Sequence, residues 1–319
     1  MNKSNPGNKA STPRLRHLTD VSECSREQLT SLLDLADEVA AEPASFNGSM
    51  PGLLLVNLFY EPSTRTRLSF EIAAKRLGMI VANFSAAGSS VEKGESLEDT
   101  FDTVQAMSPD CVVLRHPEPG AAKRLAELAD PGVHVINAGD GIGAHPTQAL
   151  LDALTLRQAF GAFDNIRLVM AGDIRHSRVA RSAIGLLTVL GVEDIRLCGP
   201  ESFMPSPQTL AAAGPSLRVF ERLEDGLDGA NAIMMLRIQK ERIIDSDIPD
   251  AENYHRRWGL RPEHLALAAP GCKVLHPGPM NRGVEISSEV ADGPGSLIRA
   301  QVRNGLHLRM ALLVRLLGP

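Results

Sequence analysis

Short apolar runs alternate with helix-period segments along almost the whole chain, and this alternation constrains the fold more than any other feature. Strands are predicted at residues 52–59, 79–84, 110–114, 133–137, 167–171, 195–198, 218–220, 232–236 and 273–275. Helices are predicted at 64–77, 97–107, 121–129, 147–160, 178–190, 206–213, 262–268 and 301–317. Another follows Ser25 and Gln28, which form a capping box ahead of Leu29, Leu32, Leu33, Ala36 and Ala40. In the last helix Val302, Leu306, Met310, Leu313 and Leu317 make one apolar stripe. Strands that alternate with helices pair in parallel, with helices on both faces. The expected class is therefore α/β, as doubly wound parallel sheets. At roughly 100–200 residues per domain, 319 residues make two such domains. The two blocks meet near the helix at 147–160. Residues 238–261 are the longest polar stretch without strand character, and are read as a mobile functional loop.

Composition narrows the function classes. Lys plus Arg total 33 against 38 Asp plus Glu, a net charge of -5. That balance argues against a general nucleic-acid or anionic-membrane binder, but allows a small anion in a local basic pocket. No run reaches the roughly 18–20 apolar residues of a membrane span. Residues 1–13 are polar, lack a signal-like apolar core, and are read as a disordered tail. Cys24, Cys111, Cys198 and Cys272 are far apart, so no CxxC site exists. Cys111 and Cys272, in or beside apolar runs, read as buried thiols in a reducing cytoplasm. The nine histidines show no HExxH spacing, and no metal is expected.

Ligands of open parallel sheets bind beyond the C-terminal ends of the strands. Arg- and His-bearing segments recur at those ends. They are Glu61 to Arg67, Arg115-His116-Pro117, Asn137 to Gly141 with His145-Pro146-Thr147-Gln148, Gly172 to Arg178, Arg237 to Lys240, and His276 to Arg282. Ser63, Thr64, Arg65 and Thr66 open a helix directly after a strand. Free helix-start amides favour an anion, and the hydroxyls and guanidinium add donors. An ordinary N-cap beside surface arginines explains the same residues taken alone. Ser89 and Lys93 lie in a Gly/Ser loop suited to delivering a hydroxyl and an ammonium to an anion; a solvated surface loop is the alternative. Ser90 and Lys93 also fit SxxK, but the companion acylase motifs are missing. Gly139 to Gly143 hints at nucleotide binding, yet it is not GxGxxG, and no phosphate-loop motif exists.

Together these motifs resemble the catalytic chains of the aspartate carbamoyltransferase family, in family order over about residues 14–319. The motifs are Phe59 to Arg67, Ser89 to Glu95, Arg115-His116-Pro117, His145 to Gln148, Arg237 to Gln239, and His276-Pro277-Gly278-Pro279. Ornithine carbamoyltransferases are close relatives, but carry a Cys where this chain has Pro277 and an acceptor loop that it lacks. Gly278 stands where a Leu is common.

The resemblance implies transfer of the carbamoyl group of carbamoyl phosphate to L-aspartate, a step of pyrimidine synthesis, without metal or cofactor. It implies a carbamoyl phosphate domain of residues 14–146 plus 301–319 and an aspartate domain of 147–300. Ser63, Thr64, Arg65 and Thr66 would hold the phosphate. Thr66, Arg115 and His145 would polarise the carbonyl. Gln148 and backbone around Pro277, Gly278 and Pro279 would hold the amino group. Arg178, Arg237 and Gln239 would bind aspartate, with Lys93. Ser89 and Lys93 would come from a neighbouring subunit of a homotrimer. The resemblance admits free trimers as well as a larger assembly with regulatory or dihydroorotase chains. Two alternatives stand beside it: another acceptor such as ornithine, and a noncatalytic binding or scaffold subunit. The latter would be expected to have lost some of Arg65, Lys93, Arg115, His145 and Gln148, and all are present.

Overall fold

The computed structural model describes residues 15–85, 94–213, 216–239 and 250–318. Ser89, Lys93 and Lys240, and the tail at 1–13, lie outside the described residues. The first block runs α1 (Arg26–Ala41), β1 (Leu54–Phe59), α2 (Thr64–Arg76), β2 (Ile80–Ser85), α3 (Leu97–Gln105), β3 (Cys111–His116), α4 (Ala121–Leu128), β4 (His134–Asp140) and α5 (Pro146–Phe160). The second runs β5 (Arg167–Ala171), α6 (Arg178–Leu190), β6 (Asp194–Cys198), α7 (Pro207–Ala213), β7 (Leu217–Phe220), α8 (Leu223–Leu227), β8 (Ala232–Met235), α9 (Ala251–Trp258), α10 (Pro262–Leu265), β9 (Lys273–Leu275), α11 (Ser288–Ala291) and α12 (Ile298–Leu317).

Two separate parallel sheets result, with strand orders β2-β1-β3-β4 and β7-β6-β5-β8-β9. In the first, the chain leaves β1 to one side for β2 and then to the other for β3. In the second, β5 divides β6 from β8 in the same way. Such reversals open a crevice at the carboxyl ends of the flanking strands. The predicted arginine-bearing segments follow those strands.

Helix α5 joins the two halves. Ten of its residues, from Pro146 to Leu156, are buried, so it is apolar nearly all round as a core helix must be. It packs against α6, α12 and β4, while α12 also packs against α1 and α2. The Ser25–Gln28 capping box forms as expected at the start of α1. Cys111, Cys198 and Cys272 are buried thiols.

Three expectations are corrected. Strand β3 continues through Arg115 and His116, and β4 continues to Asp140, because their backbones still pair across the ladder (Phe59 with Arg115, His116 with Asp140). The stretch at 238–261 is not one loop. It contains α9, capped by Asp250, whose Tyr254 and Trp258 are buried one turn apart. Helix α12 starts at Ile298, and its buried face only partly follows the predicted stripe: Met310 and Leu313 are buried, and Leu306 and Leu317 pack partly buried against the core. Val302 is 60% exposed, whereas Gln301, Asn304, Leu308, Arg309 and Leu312 are buried. The Gly139–Gly143 segment is a strand end and turn held by its own acid. Asp140 accepts from Ala144 N–H at 2.6 Å and Gly120 N–H at 2.8 Å.

Candidate active site

Helix starts separate into two kinds. The side chains of Ser25, Ser96, Ser177 and Ser287 each accept from an amide of the first turn that follows. Ser63 and His145, the N-caps of α2 and α5, make no side-chain cap bond. At α2 the first-turn amides are not consumed by the cap, which is the arrangement that suits an anion, whereas at α5 Pro146 has no N–H and the Gln148 N–H bonds the His145 carbonyl at 3.0 Å. Thr66, in the first turn of α2, is buried, and Arg65 is exposed beside it. Partial desolvation, and then the positive charge of Arg237, hold Arg65 below the usual guanidinium range. Arg65, at the start of α2, and Arg237, just beyond β8, thus contribute positive charge to the same region.

Arg115 and Arg178 converge on Gly139. A Cβ built on this glycine would lie 2.9 Å from Arg178 Cζ and 3.1 Å from Arg115 Nη1, at a φ of +115°. Arg115 Nη1 donates to the Ala138 carbonyl at 3.1 Å, and Arg178 Nη1 to the Gly141 carbonyl at 3.0 Å. Glu61, just beyond β1, completes the cluster. Its Oε2 accepts from both terminal nitrogens of Arg178 at 3.1 Å and lies 3.3 Å from Arg115 Nε. The sequence places Glu61 in its motif without a role; a lone carboxylate at a strand end that otherwise bears arginines is the signal that points to it.

The loop at 276–279 closes on Arg65. A Cβ on Gly278 would meet the Arg65 guanidinium at 2.7–2.8 Å, and its φ of +67° also suits glycine. Gly278 N–H donates to His276 Nδ1 at 2.8 Å, so His276 carries its proton on Nε2 and donates to Glu285 at 3.0 Å. Gln148 lies one turn into α5 and donates to Asp152 at 3.0 Å. Gln239 is fixed through its backbone, which donates to buried Asp173 at 3.1 Å. Asp173 also bonds the His176 ring at 2.8 Å.

Of the predicted site residues, Ser63, Thr64, Arg65 and Thr66 lie at one helix start, with Gly278 against Arg65 and Pro277 and Pro279 flanking it. Arg115 and Arg178 form the second cluster. His145 and Gln148 share the first turn of α5, and Arg237 with Gln239 leaves β8.

Comparison with known proteins bears on the family and the fold. Residues 16–158 match the carbamoyl-P binding domain model of aspartate/ornithine carbamoyltransferases, and 164–316 match their Asp/Orn binding domain model. The aspartate carbamoyltransferase catalytic subunit of Stenotrophomonas maltophilia (strain R551-3) is 48% identical over 310 residues, covering 96% of this chain and 97% of that one. A crystal structure of aspartate transcarbamoylase from Trypanosoma cruzi, in complex with carbamoyl phosphate and aspartate, is similar with a TM-score of 0.86 at 29% identity. It covers 97% of this chain and 100% of that chain. Ornithine carbamoyltransferase from Pyrococcus furiosus has a TM-score of 0.83 at 26% identity, covering 95% and 97%. No described helix is long and apolar enough to cross a membrane.

Proposed function

The chain belongs to the aspartate/ornithine carbamoyltransferase family, and we propose that it transfers the carbamoyl group of carbamoyl phosphate to the amine of L-aspartate. The products are N-carbamoyl-L-aspartate and phosphate, in pyrimidine synthesis. The observation that carries this reading is the meeting of Arg115 and Arg178 over Gly139, with Arg65 held against Gly278 and feeling the charge of Arg237. Two anionic substrates, one phosphate and two carboxylates between them, need that much positive charge.

The residues suit direct transfer. The aspartate amine lone pair attacks the carbamoyl carbon, giving a tetrahedral intermediate. That intermediate then loses phosphate as its C–O bond breaks, and the amine proton leaves with the departing phosphate or to solvent. No enzyme nucleophile is needed, so positioning and charge stabilisation supply the rate. Ser63, Thr64, Arg65 and Thr66 take the phosphate. Thr66, Arg115 and His145 stabilise the oxyanion. Gln148 and the carbonyls of Pro277 and Gly278, in the loop closed by Pro279, take the amino group. Arg178, Arg237 and Gln239 take the aspartate carboxylates, and the cationic side chain of ornithine would meet Arg237 unfavourably. Residues 14–146 with 301–319 form the carbamoyl phosphate half, and 147–300 the aspartate half. The active unit is a cytoplasmic homotrimer in which Ser89 and Lys93 enter the neighbouring site. A ureido-product assay with each acceptor tests the assignment. Turnover with aspartate and little with ornithine is expected; faster turnover with ornithine overturns it.

A further inference from the structure

Gln148 and Gln301 share one acceptor. Asp152, fully buried on α5, receives Gln148 Nε2 at 3.0 Å and Gln301 Nε2 at 2.7 Å, both on Oδ1. Gln301, at the start of α12, accepts the His276 backbone N–H on its own Oε1 at 2.9 Å. A primary amide has one donor end and one acceptor end. With both NH₂ ends committed to Asp152, both glutamines turn their oxygens away from it. Gln148 thus offers an oxygen to the site, and Gln301 holds the root of the 276–279 loop.

The loop itself has no donor to spare. Pro277 and Pro279 carry no N–H, and the Gly278 N–H is bonded to His276 Nδ1. Its backbone can only accept. Buried Glu285 secures the other side, taking His276 Nε2–H at 3.0 Å and Asn281 N–H at 2.6 Å.

We propose that Asp152 is a positioning residue that fixes Gln148 and, through Gln301, the 276–279 loop as a wall of acceptors, selecting an acyl phosphate that bears NH₂ over one that bears CH₃. The proposal rests on the carbamoyl phosphate reading above. Burial pushes the Asp152 carboxyl up to about 7, against the pull of Gln301, Gln148 and Arg309. A proton taken up on Oδ2, which has no hydrogen-bond partner among the described residues, leaves Oδ1 accepting.

Titration calorimetry of the whole chain with carbamoyl phosphate, acetyl phosphate and inorganic phosphate tests it. Asp152→Leu and Gln301→Leu should each raise the carbamoyl phosphate Kd about tenfold, the size of a lost hydrogen bond. The Kd values for acetyl phosphate and inorganic phosphate should hold within about twofold. Asp152→Asn, which keeps one acceptor oxygen, should recover most of the carbamoyl phosphate affinity. If Asp152→Leu leaves buried Arg309 without its counter-charge and fails to fold, Gln301→Leu decides the question. Equal weakening of both acyl phosphates, or no weakening, overturns the proposal. A wild-type protein that binds the two acyl phosphates alike overturns the carbamoyl phosphate reading itself, and the proposal with it.

Discussion

Glu61 and Arg178 join the two sheets through one carboxylate oxygen, which takes both terminal nitrogens of the guanidinium at 3.1 Å. The same oxygen lies 3.3 Å from Arg115 Nε. Arg178 and Arg115 are mostly buried, so their charges are held by this partner more than by water. Glu61→Gln keeps the shape and removes the charge. Two guanidiniums are then left facing each other. Folding stability should drop by about 1–3 kcal/mol, the range for unsatisfying a buried polar group. Inorganic phosphate should bind more tightly, because a repelling carboxylate is gone. Turnover should nevertheless fall at least about tenfold, since misplaced oxyanion donors cost more than that. Unchanged turnover in a folded variant would show that the bridge orients neither arginine.

Gly139 owes its identity to those same arginines. Alanine there would place Cβ 2.9 Å from Arg178 Cζ and 3.1 Å from Arg115 Nη1, forcing both side chains outward. Gly139→Ala should therefore cut kcat/KM by about tenfold or more, as donors move off the developing oxyanion. Gly161→Ala is the control. It also has a positive φ, +79°, but nothing lies within 4 Å of its Cβ. Both variants should lose melting temperature, and only Gly139→Ala should lose activity. Equal activity in the two would remove the close-approach explanation.

The alternation of apolar runs and helix-period segments was enough to place the strands and most helices, because buried parallel strands and their covering helices are marked by burial itself. The ends of β3 and β4 were misplaced because a ladder pairs backbones whatever the side chain, and Arg115 and Asp140 remain in register. Helix α9 buries only Tyr254 and Trp258 in an otherwise polar segment, too narrow a face for a periodicity to register. On α12 the misleading element was polar burial. Gln301 and Asn304 face inward because Asp152 and Thr155 on α5 bond to them. Hydropathy scores such residues as surface. The site motifs were legible because chemistry-bearing residues collect at strand ends. Which arginine meets which was not, since that depends on strand order and on the partners of Glu61.

His17 makes the edge of the first sheet sensitive to acid. Its Nδ1 accepts the Val135 N–H at 3.1 Å, which requires an unprotonated nitrogen. Burial, then the charges of Arg16 and His134, lower its pKa to about 4, with Glu23 opposing. An unfolded histidine titrates near 6.5, so between those values the unfolded chain binds the extra proton. The contribution of His17 is complete above pH 6.5 and is lost as pH falls toward 4. His17→Gln retains an acceptor without that titration. Melting temperatures followed across this window should fall less steeply for the variant than for the wild type. Parallel slopes would rule out His17 as a source of the acid sensitivity.

The proposed sharing of active sites leads to a test that no monomeric enzyme passes. Lys93 is proposed to serve the neighbouring site, whereas Arg115 serves the site of its own subunit, beside Glu61 and Gly139. Lys93→Ala and Arg115→Ala homotrimers should each be nearly inactive, because each site lacks one cation; loss of one oxyanion donor alone costs about 100–1,000-fold. In a mixed trimer, a site whose own subunit carries Lys93→Ala and whose neighbour carries Arg115→Ala has both residues intact. Subunit exchange between the two inactive proteins should therefore restore part of the wild-type turnover. The mixed species can be verified by native mass measurement after tagging one variant. Verified mixed trimers with no recovered turnover would place Lys93 and Arg115 in the same site of the same subunit.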